Sequence, residues 1–212
     1  MGQYYKVLLL GNRFGSGRTM YPLDFGNGLK LTESAWVGNT FINHVLSLLT
    51  ESPRRVAWMG DYSADEYGDE WDKLRDSIMP HEKFQKLYEK VWLYDKVWSK
   101  DEKTPYYPKQ RSLSLYEWVD GKTGYLVNLS KRVYVDLAAN YERNRFNGDW
   151  CVSPLPHLTA CGNGRGGGDY WEKYPDYDKV GTWAFDLIQL VQYKWEIPCD
   201  CTEVQYGFKE EW

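Results

Sequence analysis

The spacing of apolar residues predicts a strand, a helix and a second strand in the first third of the chain. Residues 4–10 form a short apolar run that ends at a glycine, which is typical of a buried strand, and residues 11–28 are predicted to be a loop. Thr32 can cap a helix that stops at Ser52-Pro53. Its apolar positions recur with a period near 3.6 residues: Val37, Phe41, Ile42, Val45, Leu46, Leu48 and Leu49. Residues 56–59 are the second strand, so we expect a parallel strand pair connected by a helix.

The middle of the chain predicts two helices followed by a polar connection. Apolar positions in residues 65–99 follow helical spacing and are interrupted at Pro80. Residues 101–110 are polar and contain two prolines, which makes them the one candidate domain boundary. Each side of that boundary would contain few long elements, so we interpret residues 1–212 as a single domain.

The C-terminal half is predicted to be rich in strands. Two β-rich runs, 124–129 and 133–137, flank a short polar turn and predict a hairpin, and a short helix is expected after it. Further extended or strand segments are expected at 155–160, 180–192 and 202–208. Together with the N-terminal strand-helix-strand unit, this order of elements indicates an α+β domain with a mixed β-sheet.

Composition adds one unusual feature, which is the aromatic content. Tryptophan, tyrosine and phenylalanine make up 17% of the 212 residues, with 11 Trp and 18 Tyr. These side chains combine a large contact area with a polar group, and tryptophan and tyrosine are enriched where proteins bind each other. The sequence therefore predicts either an aromatic core or an aromatic recognition surface.

The net charge limits the classes of partner. The formal charge of −4 provides no general attraction to a phosphate backbone, so direct binding of duplex nucleic acid is not expected. No apolar run approaches the ~20 residues that span a bilayer, and the first residues lack the pattern of a signal peptide. We expect a protein of the cytoplasm.

The strongest candidate for a functional segment is rich in glycine. Residues 162–168 contain five glycines, and such a segment is ordered only at a high entropic cost. Its backbone N–H groups, with Arg165 beside them, could bind an anion or a partner. The alternative is a tight turn in which glycine supplies only positive φ angles. The candidate residues are Asn163, Arg165, Gly166, Gly167, Asp169 and Tyr170.

Five further residues are candidates because of their positions next to predicted strands or next to this segment. Asp61 and Tyr62 follow the second strand, where open sheets commonly place ligand-binding groups. His157 precedes the glycine-rich segment by four residues and is a candidate ligand or base, although a lone histidine is more often structural. Trp183 and Asp186 lie in a predicted strand whose face could turn toward the segment, while Trp183 could equally belong to the core.

Other chemistry is not indicated by motif spacing. Residues 12–19 depart from a phosphate-binding P-loop, and no nucleophile elbow is present. Cys151, Cys161, Cys199 and Cys201 form no CxxC pair, and we interpret them as free thiols, with a soft metal site that includes His157 as the alternative. We therefore predict no cofactor and no resident metal.

Three segments carry a resemblance to a known group of proteins. Residues 154–170 (PLPHLTACGNGRGGGDY), 180–186 (VGTWAFD) and 58–62 (WMGDY) are similar to uncharacterised proteins that Gram-positive bacteria and their phages carry. The resemblance covers most of the chain and brings no catalytic residues with it. It implies an accessory or mobile-element product, of which inhibitors of host defence are one common kind.

These observations lead to two functional hypotheses. The first is a non-enzymatic binding protein, a phage or mobile-element counter-defence factor that binds a host protein or sequesters a small anionic ligand. The second is an enzyme that acts on a phosphorylated or nucleotide substrate through the glycine-rich segment and nearby Asp and His residues. Clustering of Asp61, His157, Arg165 and Asp169 within ~10 Å would favour the enzyme, whereas an exposed aromatic patch would favour binding.

Overall fold

The fold is built around one mixed β-sheet. A computed structural model of the chain describes residues 3–11, 17–64, 77, 79–92, 119–146, 150–161 and 176–207. Within these ranges the strands are β1 (Tyr5–Leu10), β2 (Gly17–Met20), β3 (Arg54–Gly60), β4 (Tyr125–Asn128), β5 (Val133–Asp136), β6 (Ala160–Cys161), β7 (Leu187–Val191) and β8 (Thr202–Glu203).

The order of the described strands across the sheet is β2-β1-β3-β7-β4-β5-β8. β3 pairs with β7 at its beginning and with β6 at its end, on the side away from β1. The pairs β3–β6 and β5–β8 are parallel, and the other pairs among these strands are antiparallel. The predicted α+β class with a mixed sheet is confirmed.

The helices lie on both faces of this sheet. The α-helices of the described ranges are α1 (Leu31–Ser34), α2 (Thr40–Glu51), α3 (His81–Trp92), α4 (Leu137–Asn144) and α5 (Pro154–Leu158). Of the two predicted central helices, α3 is the second, and the first falls mostly outside the described residues, as does the candidate boundary at 101–110. No helix in the part of the chain that the structure describes is long and apolar enough to cross a membrane.

The predicted parallel pairing of the first two strands is wrong. β3 is antiparallel to β1, with Tyr5 opposite Gly60 and Leu10 opposite Arg55. The reason is that residues 17–20, predicted to be part of a loop, form the strand β2. This strand pairs antiparallel with β1, so the direction of the chain is already reversed before α2 begins. α2 then connects β2 to β3, so those two strands run parallel to each other on either side of β1.

The apolar face predicted for the first long helix is confirmed, but its beginning is different. The buried positions of α2 are Phe41, Ile42, Val45, Leu46, Ser47, Leu48 and Leu49. Thr32 belongs to the short helix α1, and α2 is capped instead by Asn39. The Asn39 side chain accepts hydrogen bonds from the backbone N–H groups of Phe41 at 2.8 Å and Ile42 at 3.4 Å.

The C-terminal half confirms the hairpin and corrects two other segments. β4 and β5 pair antiparallel, and α4 follows β5 directly. Most of residues 155–160, predicted to be extended, instead belongs to α5 (Pro154–Leu158), because a proline at the first helical position is already suited to helix φ. The predicted strand at 180–192 is shortened to β7 (Leu187–Val191), because consecutive turns precede it.

Both faces of the sheet bury apolar side chains, many of them aromatic. On one face Tyr5, Val7, Leu9 and Trp58 join α2 in the main core, and the rings of Phe41 and Trp58 meet edge-on with centroids 6.0 Å apart. On the other face a second cluster packs against α3; its members include Leu8, Leu10, Ala57, Met59, Phe84, Leu87, Val91 and Phe185. Part of the aromatic content therefore serves the core.

The cap of α2 gives a test of this fold. We expect Asn39→Ala to lower the free energy of unfolding by about 1 kcal/mol, because two N–H groups at the helix start lose their acceptor. Asn39→Ser should retain most of that stability, since the hydroxyl is also a good cap. Both variants lose the bond that the Asn39 amide donates to Asn27, so their comparison isolates the cap. Urea unfolding measures the difference, and equal destabilisation of both variants would contradict the capping role.

Candidate functional site

The glycine-rich segment lies outside the described residues. Those candidate residues are Asn163, Arg165, Gly166, Gly167, Asp169 and Tyr170. The last described residue before them, Cys161, pairs with Met59 two positions before Asp61. The chain therefore reaches the beginning of this segment at the same end of the sheet as Asp61.

Asp61 connects three parts of the chain at that end. The backbone N–H of Tyr4 donates to its carboxylate at 3.1 Å, and its own N–H donates to the carbonyl oxygen of Tyr4 at 2.9 Å. The Tyr88 hydroxyl, from α3, donates to the carbonyl oxygen of Asp61. Tyr62, the next residue, is 36% exposed. Asp61 thus has a structural function here, and Tyr62 is accessible to a partner.

His157 is a core residue of α5. It is 1% exposed, and the backbone N–H of Gly181 donates to its carbonyl oxygen at 2.8 Å. Burial lowers the pKa of His157 to about 3, against a smaller opposing effect of a backbone hydrogen bond with Ser153. The imidazole is therefore neutral at pH 7, and its burial agrees with the structural interpretation of this histidine.

Trp183 also belongs to the core. It is 1% exposed, and its ring meets that of Tyr206 edge-on with centroids 5.9 Å apart. Its backbone N–H donates to the carbonyl oxygen of Leu158 at 2.7 Å. It lies in the turns before β7 rather than in a strand. The interpretation of Trp183 as a side chain presented to a partner is therefore not supported, because the ring has almost no accessible surface.

Asp186 lies directly before β7, and its carboxylate interacts with residues at the turn between β4 and β5. Its carboxylate accepts a 2.7 Å hydrogen bond from the Asn128 amide, and the Lys131 ammonium is 3.7 Å away. Burial raises the pKa of Asp186, while Asn128, Lys131 and Arg55 act in the opposite direction. Asn128 in turn accepts hydrogen bonds from the backbone N–H groups of Ser130 and Lys131. The group connects two loops at one end of the sheet.

The two acidic candidates lie at opposite ends of β3. Leu187, next to Asp186, pairs with Arg55, whereas Asp61 follows the last residue of β3, Gly60. Asp61 follows Arg55 by six positions of extended chain, a distance of about 20 Å. Asp61 and Asp186 therefore cannot act on one substrate group.

The cysteines bring no metal cluster together within the described ranges. No group of three or more His, Cys, Asp or Glu side chains in those ranges could hold a metal ion. Burial raises the pKa of Cys151 to about 12 and raises that of Cys161 well above its ordinary value, so both are protonated thiols. Cys199 is exposed and Cys201 is half-buried. A thiolate nucleophile is thus not available at Cys151 or Cys161 at neutral pH.

The most exposed aromatic surface of the described residues is formed by Tyr193 and Trp195, which we call the aromatic platform. The two rings stack in parallel, with centroids 4.2 Å apart and planes 7° apart. Trp195 is 77% exposed and Tyr193 is 45% exposed. One face of the Trp195 indole is covered by Tyr193, so this high exposure means that the other face is open to solvent.

A short 3-10 turn fixes the platform. The turn spans Lys194–Glu196, and the Glu196 carboxylate accepts from the backbone N–H groups of Gln192 at 3.0 Å and Tyr193 at 2.7 Å. Directly after the turn, Ile197 and Cys201 pack against the face of the sheet that carries Val127 of β4, Tyr134 of β5 and Val191 of β7. The aromatic rings therefore point outward from a turn that is held by hydrogen bonds and anchored by apolar contacts.

The Lys194 side chain is directed toward the sheet rather than toward the open indole face. Tyr134 lies beside Lys194 and is the main cause of its raised pKa, with a smaller contribution from Glu203. The Tyr134 hydroxyl lies 3.2 Å from the Glu203 carboxylate. The lysine charge is thus placed beside a tyrosine and a carboxylate.

Sequence reasoning did not identify this platform. The aromatic content did predict a recognition surface as one alternative, but residues 193–201 contain no periodicity that marks an element. A usable signal was the order Tyr193, Trp195, Ile197, in which large residues alternate along the chain and end at a proline. A second exposed tryptophan, Trp150, is 54% exposed and lies against Trp36 with centroids 5.5 Å apart.

No family model, curated protein or solved structure matches this chain. The resemblance to proteins of Gram-positive bacteria and their phages therefore stays an expectation. The proposed function is therefore based on the geometry and charge of the described surface.

The burial of His157 gives a prediction for the pH dependence of stability. The unfolded chain binds a proton at His157 near pH 6.5, whereas the folded protein does so only near pH 3. Stability is therefore lost as the pH falls below about 6.5, and between pH 7.5 and 5 this residue accounts for about 2 kcal/mol. His157→Gln should remove that share of the loss, as measured by urea unfolding at both pH values.

Leu155→Ala is the control, because Leu155 is a buried neighbour that does not titrate. It should lower the free energy of unfolding by a similar amount at both pH values. A parallel loss of stability with falling pH in the wild type and in His157→Gln would contradict the buried neutral state of His157.

Proposed function

We propose that this protein is a non-enzymatic binding protein, a phage or mobile-element counter-defence factor that engages a host protein in the host cytoplasm through the aromatic platform. The observation that carries the proposal is the exposure of Trp195, 77%, on a turn that Glu196 holds with two backbone hydrogen bonds. Trp58 and Trp183, which serve the core, are almost fully buried.

The energetics of recognition support this assignment. Tryptophan and tyrosine are enriched among the few interface residues that carry most of the binding energy, where truncation typically costs about 2 kcal/mol or more. The rings of Tyr193 and Trp195 are already stacked on each other. Since the side chains are ordered before binding, little conformational entropy is lost when a partner covers them.

The enzyme hypothesis is less well supported by the described residues. His157 is buried and neutral at pH 7, and Asp61 is held by two hydrogen bonds with the backbone of Tyr4. Arg165 and Asp169, which the hypothesis also needs, are outside the described residues. Sequestration of a small anionic ligand depends on those same residues and is kept as an outcome of the experiment.

The test compares affinity purification by three forms of the tagged protein from a lysate of the bacterial host. We expect the wild type and Trp150→Ala to recover the same host protein, and Trp195→Ala to lose at least ~90% of it, which corresponds to ~1.4 kcal/mol or more of binding free energy. Trp150 is the matched control because it is also a largely exposed tryptophan. Labelled peptide mass spectrometry quantifies the recovery.

Two outcomes would contradict the proposal. One is equal recovery of the partner by Trp195→Ala and the wild type, which would place the binding surface elsewhere. The other is turnover of nucleotides or phosphorylated compounds that Asp61→Asn or Asp169→Asn abolishes, which would establish the enzyme. Mass spectrometry of small molecules released from the purified protein tests in parallel for an anionic ligand.

A further inference from the structure

The chain segment that carries the aromatic platform has a net negative charge. Residues 192–207, which include the platform and β8, contain one lysine and three carboxylates, a net charge of −2. Arg132 of the β4–β5 turn lies 3.5 Å from Asp200 and reduces the local charge to −1. Lys194 and Glu203 are both included in this sum, and the lysine lies beside Tyr134 and Glu203. A cation is therefore attracted to this surface, and a polyanion is not.

The shape of the platform favours a flat cationic group. Tyr193 and Trp195 are parallel and in contact, so they form one stack with a single open indole face rather than a groove between two rings. An indole face carries negative partial charge and is the best aromatic surface for a cation. The guanidinium of arginine is planar, weakly hydrated and able to stack on such a face, whereas the lysine ammonium is compact and strongly hydrated.

Three other occupants fit these observations less well. Proline-rich ligands dock into grooves lined by aromatic rings, and the stacked pair provides no groove. A nucleic acid would stack a base on the indole but would bring phosphates to a negative surface. A sugar needs polar groups at the edge of the ring, and the carboxylate of Glu196 already accepts two backbone hydrogen bonds.

We infer that the open face of Trp195 binds an arginine side chain from a basic segment of the partner protein. This inference rests on the proposed function and names the chemistry of its partner. The surrounding carboxylates steer the basic segment to the platform, and the stacked guanidinium provides the specific contact. The Tyr193 ring supports the indole from behind and keeps its plane fixed.

The test uses an acetylated and amidated hexa-arginine peptide as the probe and isothermal titration calorimetry on the full chain. Trp195→Ala should weaken binding by about 5- to 30-fold, the range of a cation–π contact of ~1 to 2 kcal/mol. Trp195→Phe, which retains an aromatic face, should show an intermediate loss. Trp150→Ala is the control and should bind within about 2-fold of the wild type. Hexa-lysine, of equal charge, should bind the wild type several-fold more weakly than hexa-arginine.

A second readout locates the contact. Among the 11 tryptophans, the indole N–H signal of Trp195 in a nitrogen-15 correlation spectrum is the one that is missing in Trp195→Phe. We expect this signal to shift on addition of hexa-arginine while that of Trp150 stays in place. The fold of each variant is checked by circular dichroism, and the high exposure of Trp195 predicts that its substitution leaves the fold intact.

The outcomes separate this inference from the proposed function. Equal affinity of hexa-arginine for the wild type and Trp195→Ala overturns the inference, as does Trp195-dependent binding of single-stranded oligothymidine or a maltohexaose probe in its place. If Trp195→Ala still loses the host protein in the affinity purification, the proposed function stands and only the arginine assignment fails. Loss of both hexa-arginine and host protein by Trp195→Ala, with retention by Trp150→Ala, supports both.

Discussion

The pairing of β3 is the constraint on which the rest of this fold depends. One side of β3 pairs along its length with β1, and the other side is shared between β7 at its beginning and β6 at its end. Between β7 and β6, the turns that precede β7 occupy this side of β3. The backbone N–H of Phe185 there donates to the carbonyl oxygen of Val56 at 2.7 Å. Phe185 reaches this position with a φ of +63°, an unusual angle for a bulky residue. β3 therefore joins the part of the described sheet formed by β1 and β2 to the part formed by β7, β4, β5 and β8.

The aromatic platform follows from this arrangement. β7 is held between β3 and β4, and it ends at Val191 opposite Tyr125. The chain must then cross β4 and β5 to reach β8, because β8 pairs with β5. Ile197 and Cys201 bury the inner side of this crossing segment, and Tyr193 and Trp195 stack on its outer side. The sheet thus presents the aromatic platform on the connection between β7 and β8.

The high aromatic content has two physical functions in this chain. Trp58, Phe41, Phe84 and Trp183 are buried on the two faces of the sheet, where their large area stabilises the fold. Tyr193 and Trp195 instead stack on each other and leave one face of the indole in water. The aromatic core that composition offered as one alternative is therefore present, and the exposed pair is the surface for which we propose a role in recognition.

Local sequence determined the elements whose pattern is repeated over several residues. The apolar face of α2, the β4–β5 hairpin and the α+β class were predicted correctly, because helical periodicity and β-rich runs around a polar turn are local properties. Strand direction, the cap at Asn39 and the position of Trp183 were decided by tertiary structure. The four-residue strand β2 reversed the predicted pairing, and no local signal marks so short a strand. Whether a tryptophan is buried or exposed likewise depends on which parts of the chain pack around it. Trp183 and Trp195 could therefore be distinguished only once the fold was known.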